Sequence, residues 1–427
     1  MRPRAWICLL VFCQAGAIPE DDPTSAASER RPRSPSWMTW GLEYRGRLEL
    51  PTAINFDPDR DDQFHLNRIR LWAGIGTTPW LRFYAQAQDA RAPGFSDASA
   101  RDSVVHHLDL RQLYADFGRA QGTWGFRLGR QELAFGDERL VGADTYWDAL
   151  GQSFEAARLT FRSPGLRLDA FGSFAVVPTR ERLARPTTAN HLYGLYASLD
   201  RAHGGSVIEP YLLVKRNRRG IESDLITYGL RAAGGLPARL DYNLEMALQG
   251  GYEALESIRA WAAHWEIGIR PFPADFAPRL AAEYNFASGD SHPGDGRHTT
   301  FDDLYPAGFN KFGMADPFAW RNTRNVSGSV DWGLGKRWKL GAGYRALWLA
   351  SIQDGLYTKG DDCLTRNPNA SGHHVGDQAS LMLAWDISNS WQVHLGYSRF
   401  FPGSYLIDSS FRGRYSTPFF MLSYKFE

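Results

Sequence analysis

From Trp37 to the C-terminus the chain alternates apolar and polar residues with a period of two, in about eighteen segments each near the roughly 9–11 residues that a tilted membrane strand needs. This repeat constrains the fold most, because residues two apart share one face of a strand. In Leu240 to Gln249, Tyr242, Leu244, Met246 and Leu248 lie on one face, and Asp241, Asn243, Glu245 and Gln249 on the other. Trp80 to Gln88 sets Leu81, Phe83, Ala85 and Ala87 against Arg82, Tyr84, Gln86 and Gln88. Arg279 to Ala287 sets Leu280, Ala282, Tyr284 and Phe286 against Arg279, Glu283 and Asn285. Such strands suit neither a sandwich core nor a parallel sheet. Beyond the N-terminus no stretch offers roughly 18 consecutive apolar residues, so no spanning helix is expected. The expected class is all-β, a transmembrane antiparallel β-barrel of about 18 strands over residues 37–427. Composition agrees: 14% aromatic residues and 42 glycines, in a chain whose mean hydropathy of -0.39 is too polar for a bundle of membrane helices.

Residues 1–17 read as a secretory signal, with Arg2 and Arg4 ahead of an apolar run from Ala5 to Cys13 and a small-residue exit at Ala15, Gly16 and Ala17. Its removal takes Cys8 and Cys13 and leaves Cys363 alone, so no internal disulfide is expected. Residues 18–36, rich in Pro, Ser, Arg and Asp, read as a flexible periplasmic lead-in.

The charges balance, 48 basic against 47 acidic, which gives no overall field for nucleic acid. Only six of the basic residues are lysine, and the rest are arginine, whose planar guanidinium grips carboxylates through paired hydrogen bonds. An Arg or Lys facing lipid near the bilayer midplane costs about 2–4 kcal/mol. The mid-strand charges Arg45, Arg47, Arg68, Arg70, Arg82, Arg127, Arg158, Arg167, Asp169, Arg231, Asp241, Glu245, Arg279, Glu283 and Arg345 are therefore expected to line the interior. Packed together they imply salt-bridge ladders around a wet passage. Trp40, Trp72, Trp80, Trp124, Trp338 and Trp391 fall near strand ends, at the depth amphipathic rings prefer. Four long connections, near 93–103, 134–152, 289–325 and 353–375, are expected as external loops or inward plugs.

Three patches carry a family resemblance. One runs from Phe126 through Arg127, Gly129, Arg130 and Glu132, then Phe135 to Leu140, Trp147, and Phe154 to Leu159. The second is Tyr284 to Asp290 with Thr300 to Pro306, and the third is Gly396 to Ser398 with Phe400 to Gly403 and Tyr405. In order and spacing they resemble the alginate-export channels of the bacterial outer membrane. The resemblance implies an eighteen-stranded barrel whose electropositive constriction passes a polyuronate made in the periplasm. Phe420, Leu422, Tyr424 and Phe426 likewise resemble the terminal strand of such barrels. Where a typical member places acidic residues after its late long loop, this chain has Gln378 and Ser380.

Candidate substrate contacts are Arg45, Arg68, Arg70, Arg82, Arg127, Arg158 and Arg345, with Asp169, Asp241, Glu245 and Glu283 as salt-bridge partners. Arg127 and Arg158 could contact carboxylates, or could belong to a structural ladder with Asp169 or Glu155. Asp290, Asp295, Asp302 and Asp303 offer oxygens for calcium, without EF-hand spacing. The adjacent pairs His106-His107 and His373-His374 point to opposite strand faces and make no metal site. No nucleophile elbow, phosphate loop or zinc-protease motif occurs, so an outer-membrane hydrolase is a remote alternative and no cofactor is expected. The main expectation is a monomeric channel for passive export of an anionic polysaccharide, meeting outer-membrane lipid and a periplasmic export partner. The rival is an uptake porin for acidic sugars or small organic anions.

Overall fold

The computed structural model describes residues 35, 37–96, 104–143, 147–179, 182–201, 205–218, 220–273, 277–308, 311, 313–314, 317–359 and 362–427. Apart from Pro35, the leader and lead-in expected over 1–36 lie outside the described residues.

Eighteen strands form the wall. The first six are β1 (Met38–Glu49), β2 (Phe64–Thr78), β3 (Leu81–Arg91), β4 (His106–Phe117), β5 (Trp124–Gln131) and β6 (Phe154–Ser163). The next seven are β7 (Leu166–Thr179), β8 (Arg182–Arg201), β9 (Ser206–Asn217), β10 (Ser223–Leu236), β11 (Leu240–Glu253), β12 (Glu256–Ile269) and β13 (Arg279–Ala287). The last five are β14 (Thr323–Leu334), β15 (Trp338–Leu349), β16 (His374–Asp386), β17 (Trp391–Pro402) and β18 (Phe419–Phe426). Each pairs antiparallel with its sequence neighbours, and β18 returns to β1 from Leu42↔Phe426 to Glu49↔Phe419, so the sheet closes without an edge. Among the described residues no helix is long and apolar enough to cross a membrane, and the one α-helix is α1 (Ser404–Asp408).

The alternation read from the sequence is the alternation of burial. Along β11, Leu244, Met246 and Leu248 are exposed while Asn243, Glu245, Ala247 and Gln249 are buried. The outward face is apolar around the ring, with Leu71, Phe83, Leu128, Leu195, Leu230, Ile267, Leu381 and Phe420 exposed. In a bilayer this face meets acyl chains and the backbone is already satisfied strand to strand. Aromatic pairs mark the short-turn rim: Trp40 with Phe426, Trp124 with Phe161, Trp338 stacked on Trp385 at 4.9 Å, and Trp391 with Tyr424.

Trp72 departs from its expected place. It lies opposite Gly41 and Gln86, on the inward register, with its ring over Gly41, where a Cβ would stand 2.2 Å from the indole. Glycine is needed there for close approach.

The longest connections all fall on one end of the barrel, the end that faces outward from the cell in outer-membrane barrels. Besides the four expected, residues 50–63 and 403–418 form long connections on the same end. They pack together there: Phe56 stacks on Phe318 and meets Phe400 and Tyr415, beside buried Leu349, Leu356, Tyr405 and Leu406.

Candidate functional site

Register decides which charges share the interior. Arg45 stands opposite Arg68, and Glu43 opposite Arg70, which in turn faces Gln88. Arg82 faces Asp116, Asp116 faces Arg127, and Arg127 faces Arg158. Arg231 faces Glu245, Glu266 faces Glu283, and Arg345 faces Ser327 and Gln378. All eleven candidates, seven arginines and four acids, thus sit on the face opposite the exposed apolar side chains.

They do not converge on one point. Arg127 binds Asp116 through two bonds of 2.6 and 3.0 Å, while Arg158 donates to Asp169 at 2.9 Å. Asp169 also accepts from Thr160 and Arg167. Of the two readings left open for this pair, the ladder with Asp169 is the geometry present; Glu155 instead takes Arg130 at 2.8 Å. Arg82, its side chain 46% exposed, reaches Asp116 at 3.4 Å. Around β11–β14, Arg279 bridges Asp241 and Glu266, both at 2.5 Å, and Arg345 binds Glu283 at 2.8 Å. Glu245 accepts from the Tyr211 hydroxyl at 2.8 Å.

Two walls differ in charge. On the described inward faces of β1 and β2, Arg45, Arg47, Arg68 and Arg70 stand against Glu43 and Glu49, and Arg111 of β4 joins them. All five arginines are 3–4% exposed. Arg47 pairs with Glu49 at 2.6 Å, Arg111 with Glu132 at 2.8 Å, and Arg68 with Glu43. Across the barrel, β9–β14 carry inward Glu209, Asp241, Glu245, Glu266, Glu283 and Asp331 against Lys215, Arg231 and Arg279.

Described residues of the connection from 132 to 153 meet both walls. At one end Arg139 reaches Glu283 at 3.2 Å and His264 at 3.3 Å. At the other, Arg45 and Arg68 donate to Asp148 O at 2.7 and 3.0 Å, Arg47 to Trp147 O at 2.5 Å, and Arg111 to Leu150 O. The connection from 288 to 322 joins it inside the barrel: Val141 bridges Tyr305 in parallel, and Lys311 binds Asp137 at 3.0 Å. Burial alone would raise the Asp137 carboxyl, but Lys311 and Arg139 hold it well below the usual carboxylate range. Gly136, with φ of 57°, turns the chain where a Cβ would stand 2.5 Å from the Tyr196 hydroxyl. At Gly142 the chain makes a close approach, since a Cβ would lie 2.7 Å from Ala307 N.

The calcium candidates are not assembled as a cage. Asp302 holds Lys215 at 2.8 Å and Arg321 at 2.9 Å; burial raises its carboxyl, yet these cations bring it below the usual range. Asp303 accepts from Trp320 N, Asp290 from His292 N, and Asp295 from Arg297 N. Among the described residues, His264, Glu266 and Glu283 do lie within metal-ligating reach of one another. Arg139, Arg279 and Arg345 occupy their surroundings.

Sequence reasoning missed Arg111, Arg139 and Lys311 as cross-lumen contacts. Arg111 and Gln112 are both buried because β4 bulges against β3, which breaks the period of two between Leu110 and Leu113.

A closed, edge-free barrel with an apolar exterior, a charged interior and loops drawn across the lumen defines an outer-membrane channel. Residues 36–416 match the model of the alginate export family, and the chain belongs to that family. No curated protein matches it by sequence. Among solved structures it is similar to Pseudomonas aeruginosa OccK11 (OpdR), with a TM-score of 0.62 and 14% identity over 91% of this chain and 95% of that one. OccK8 (OprE) of the same organism gives 0.63 and 12%, over 91% and 98%. Acinetobacter baumannii OccAB2 gives 0.63 and 10%, over 92% and 99%. At such identities the likeness is one of fold. The protein is a bacterial outer-membrane barrel, and family and fold point to a channel rather than an enzyme.

Proposed function

We propose that this channel passively exports an anionic polysaccharide, an alginate-like polyuronate, along its arginine-rich wall. The observation that carries the reading is the buried group Arg45, Arg47, Arg68, Arg70 and Arg111, set on β1, β2 and β4 of one side. Successive carboxylates of a polyuronate would replace water with guanidinium donors at several weak sites, entering without being trapped. Arg82, Arg127 and Arg158 extend this path toward the short-turn rim, and Arg345 flanks it from β15.

A second reading, uptake of acidic sugars or small organic anions, is favoured by the two loops that join across the lumen, which suit a small solute better than a polymer. Single-channel recording in a planar bilayer with oligouronates of increasing length separates the two. Export predicts anion selectivity and a block that strengthens with length. Block only by monomers would favour uptake, and cation selectivity would remove both readings. Replacing Arg127 and Arg158 with Glu is expected to weaken anion selectivity in an assembled barrel; unchanged selectivity would take these two residues out of the path.

A further inference from the structure

Four of the five buried arginines share an unusual partner. Segment 147–152 presents a row of main-chain carbonyls to them: Trp147 O to Arg47 at 2.5 Å, Asp148 O to Arg45 at 2.7 Å and Arg68 at 3.0 Å, and Leu150 O to Arg111. Arg111 also reaches Gln152 O at 3.4 Å, and Gln88 donates to Leu150 O at 3.2 Å. A carbonyl accepts from a guanidinium as a neutral dipole, whereas a carboxylate adds the Coulomb attraction of a net negative charge and can take two parallel bonds. The segment therefore offers these guanidinium groups weaker acceptors than a carboxylated ligand would.

One guanidinium of the group is differently placed. Arg70 stands two residues nearer the short-turn end of β2 than Arg68, about 7 Å along the strand. Its Nε donates to Gln88 Oε1 at 2.7 Å, but its Nη2 is buried without a hydrogen-bond partner. An orphan buried donor of this kind is costly and marks a place for an acceptor.

We infer that segment 147–152 is a stand-in ligand, a latch whose carbonyls hold the arginine group until the carboxylates of an incoming oligouronate displace them. The inference rests on the proposed polyuronate reading and adds the regulation of that site. Within the buried group, a polyanion arriving from the short-turn side past Arg82, Arg127 and Arg158 meets Arg70 first and gains a charge-assisted bond there. It then exchanges with Asp148 O on Arg68 and Arg45, and with Trp147 O on Arg47. The other end of the same loop is held by ion pairs, Arg139 on Glu283 and Asp137 on Lys311, which a carboxylated ligand at the arginine group leaves untouched.

Besides its carbonyls the segment is held by Gln152, which donates to Ala143 O at 2.8 Å and Pro306 O at 3.1 Å, and by Trp147, whose ring lies 3.7 Å from the Arg47 guanidinium and meets Phe419 edge-on at 4.8 Å. Trp147→Ala should lower the oligouronate concentration for half-block by about tenfold, the scale of losing a desolvated cation–π contact, and Trp147→Phe should stay near wild type. Larger resting current in Trp147→Ala with an unmoved blocking concentration would overturn the latch and leave a plain steric plug.

The unmodified protein gives a second test that does not depend on the variant assembling. On adding a four-residue oligouronate, amide exchange in 147–152 should rise while that around 137–141 stays unchanged, and a neutral oligosaccharide of equal length should do neither. Unchanged or slower exchange at 147–152, in a channel that the oligouronate does block, would sink the latch while sparing the proposed function. A wild-type pore that oligouronates never block would remove both.

Discussion

The two ends of the 132–153 loop meet opposite walls by different chemistry. At the acidic wall it delivers a charged side chain, Arg139, to Glu283, and Asp137 beside it is locked by Lys311. At the basic wall, Trp147 and Asp148 meet Arg45, Arg47 and Arg68 with main-chain carbonyls, while Glu132, where the loop leaves β5, pairs with Arg111. Breaking a buried ion pair costs far more than exchanging one acceptor for another. One end is therefore an anchor and the other an exchangeable contact.

The sharpest way to break this contrast is at the anchor. Glu283→Ala leaves Arg139 and Arg345 facing each other without their shared carboxylate, and should cost about 3–5 kcal/mol in thermal unfolding of the detergent-solubilised barrel. A loss below about 1 kcal/mol would show that this wall is no anchor.

Next in size is selectivity. Arg45→Gln removes one of two like charges that stand opposite each other in register and leaves the Arg68–Glu43 pair intact, so stability should change little while the reversal potential in a salt gradient shifts toward cations. A strong loss of stability with unchanged selectivity would invert the roles assigned to the two walls.

A third prediction concerns pH. The Asp137 carboxyl is held below the usual carboxylate range, so its contribution is fully present above the unfolded value of about 3.9 and is lost as pH falls toward the folded one. The stability difference between wild type and Asp137→Asn should be flat from neutral pH down to about 5 and shrink below about 4. A difference that already fades between pH 7 and 5 would contradict the anchor.

The smallest effect is expected at the rim. Arg82→Gln breaks a half-exposed pair with Asp116 and should alter stability by less than about 1 kcal/mol.

How far these walls could be read from sequence follows from periodicity. A period of two fixes which face each residue takes, so Arg45, Arg68, Arg127, Arg158 and Glu283 were placed on the inner face before any pairing was known. The walls themselves were not legible, because they depend on which strands lie side by side with which loops. Residues 132–153 carry no period, so nothing local announces that Arg139 meets Glu283 or that Trp147 settles on Arg47. Trp72 was misplaced because a tryptophan near a strand end fits an interface girdle and an inward stack equally well; Gly41 opposite it decides the matter only once the register is known.

The seam between β1 and β18 has a kinetic meaning. Leu42 finds Phe426 only after the whole intervening chain has been delivered, and contacts so distant in sequence form slowly because the entropy of closing the loop precedes any reward. Until the last eight residues dock, β1 is an open template for any other strand. The vulnerable moment of this protein is therefore its assembly, when the final strand must compete with foreign edges for its place beside the first.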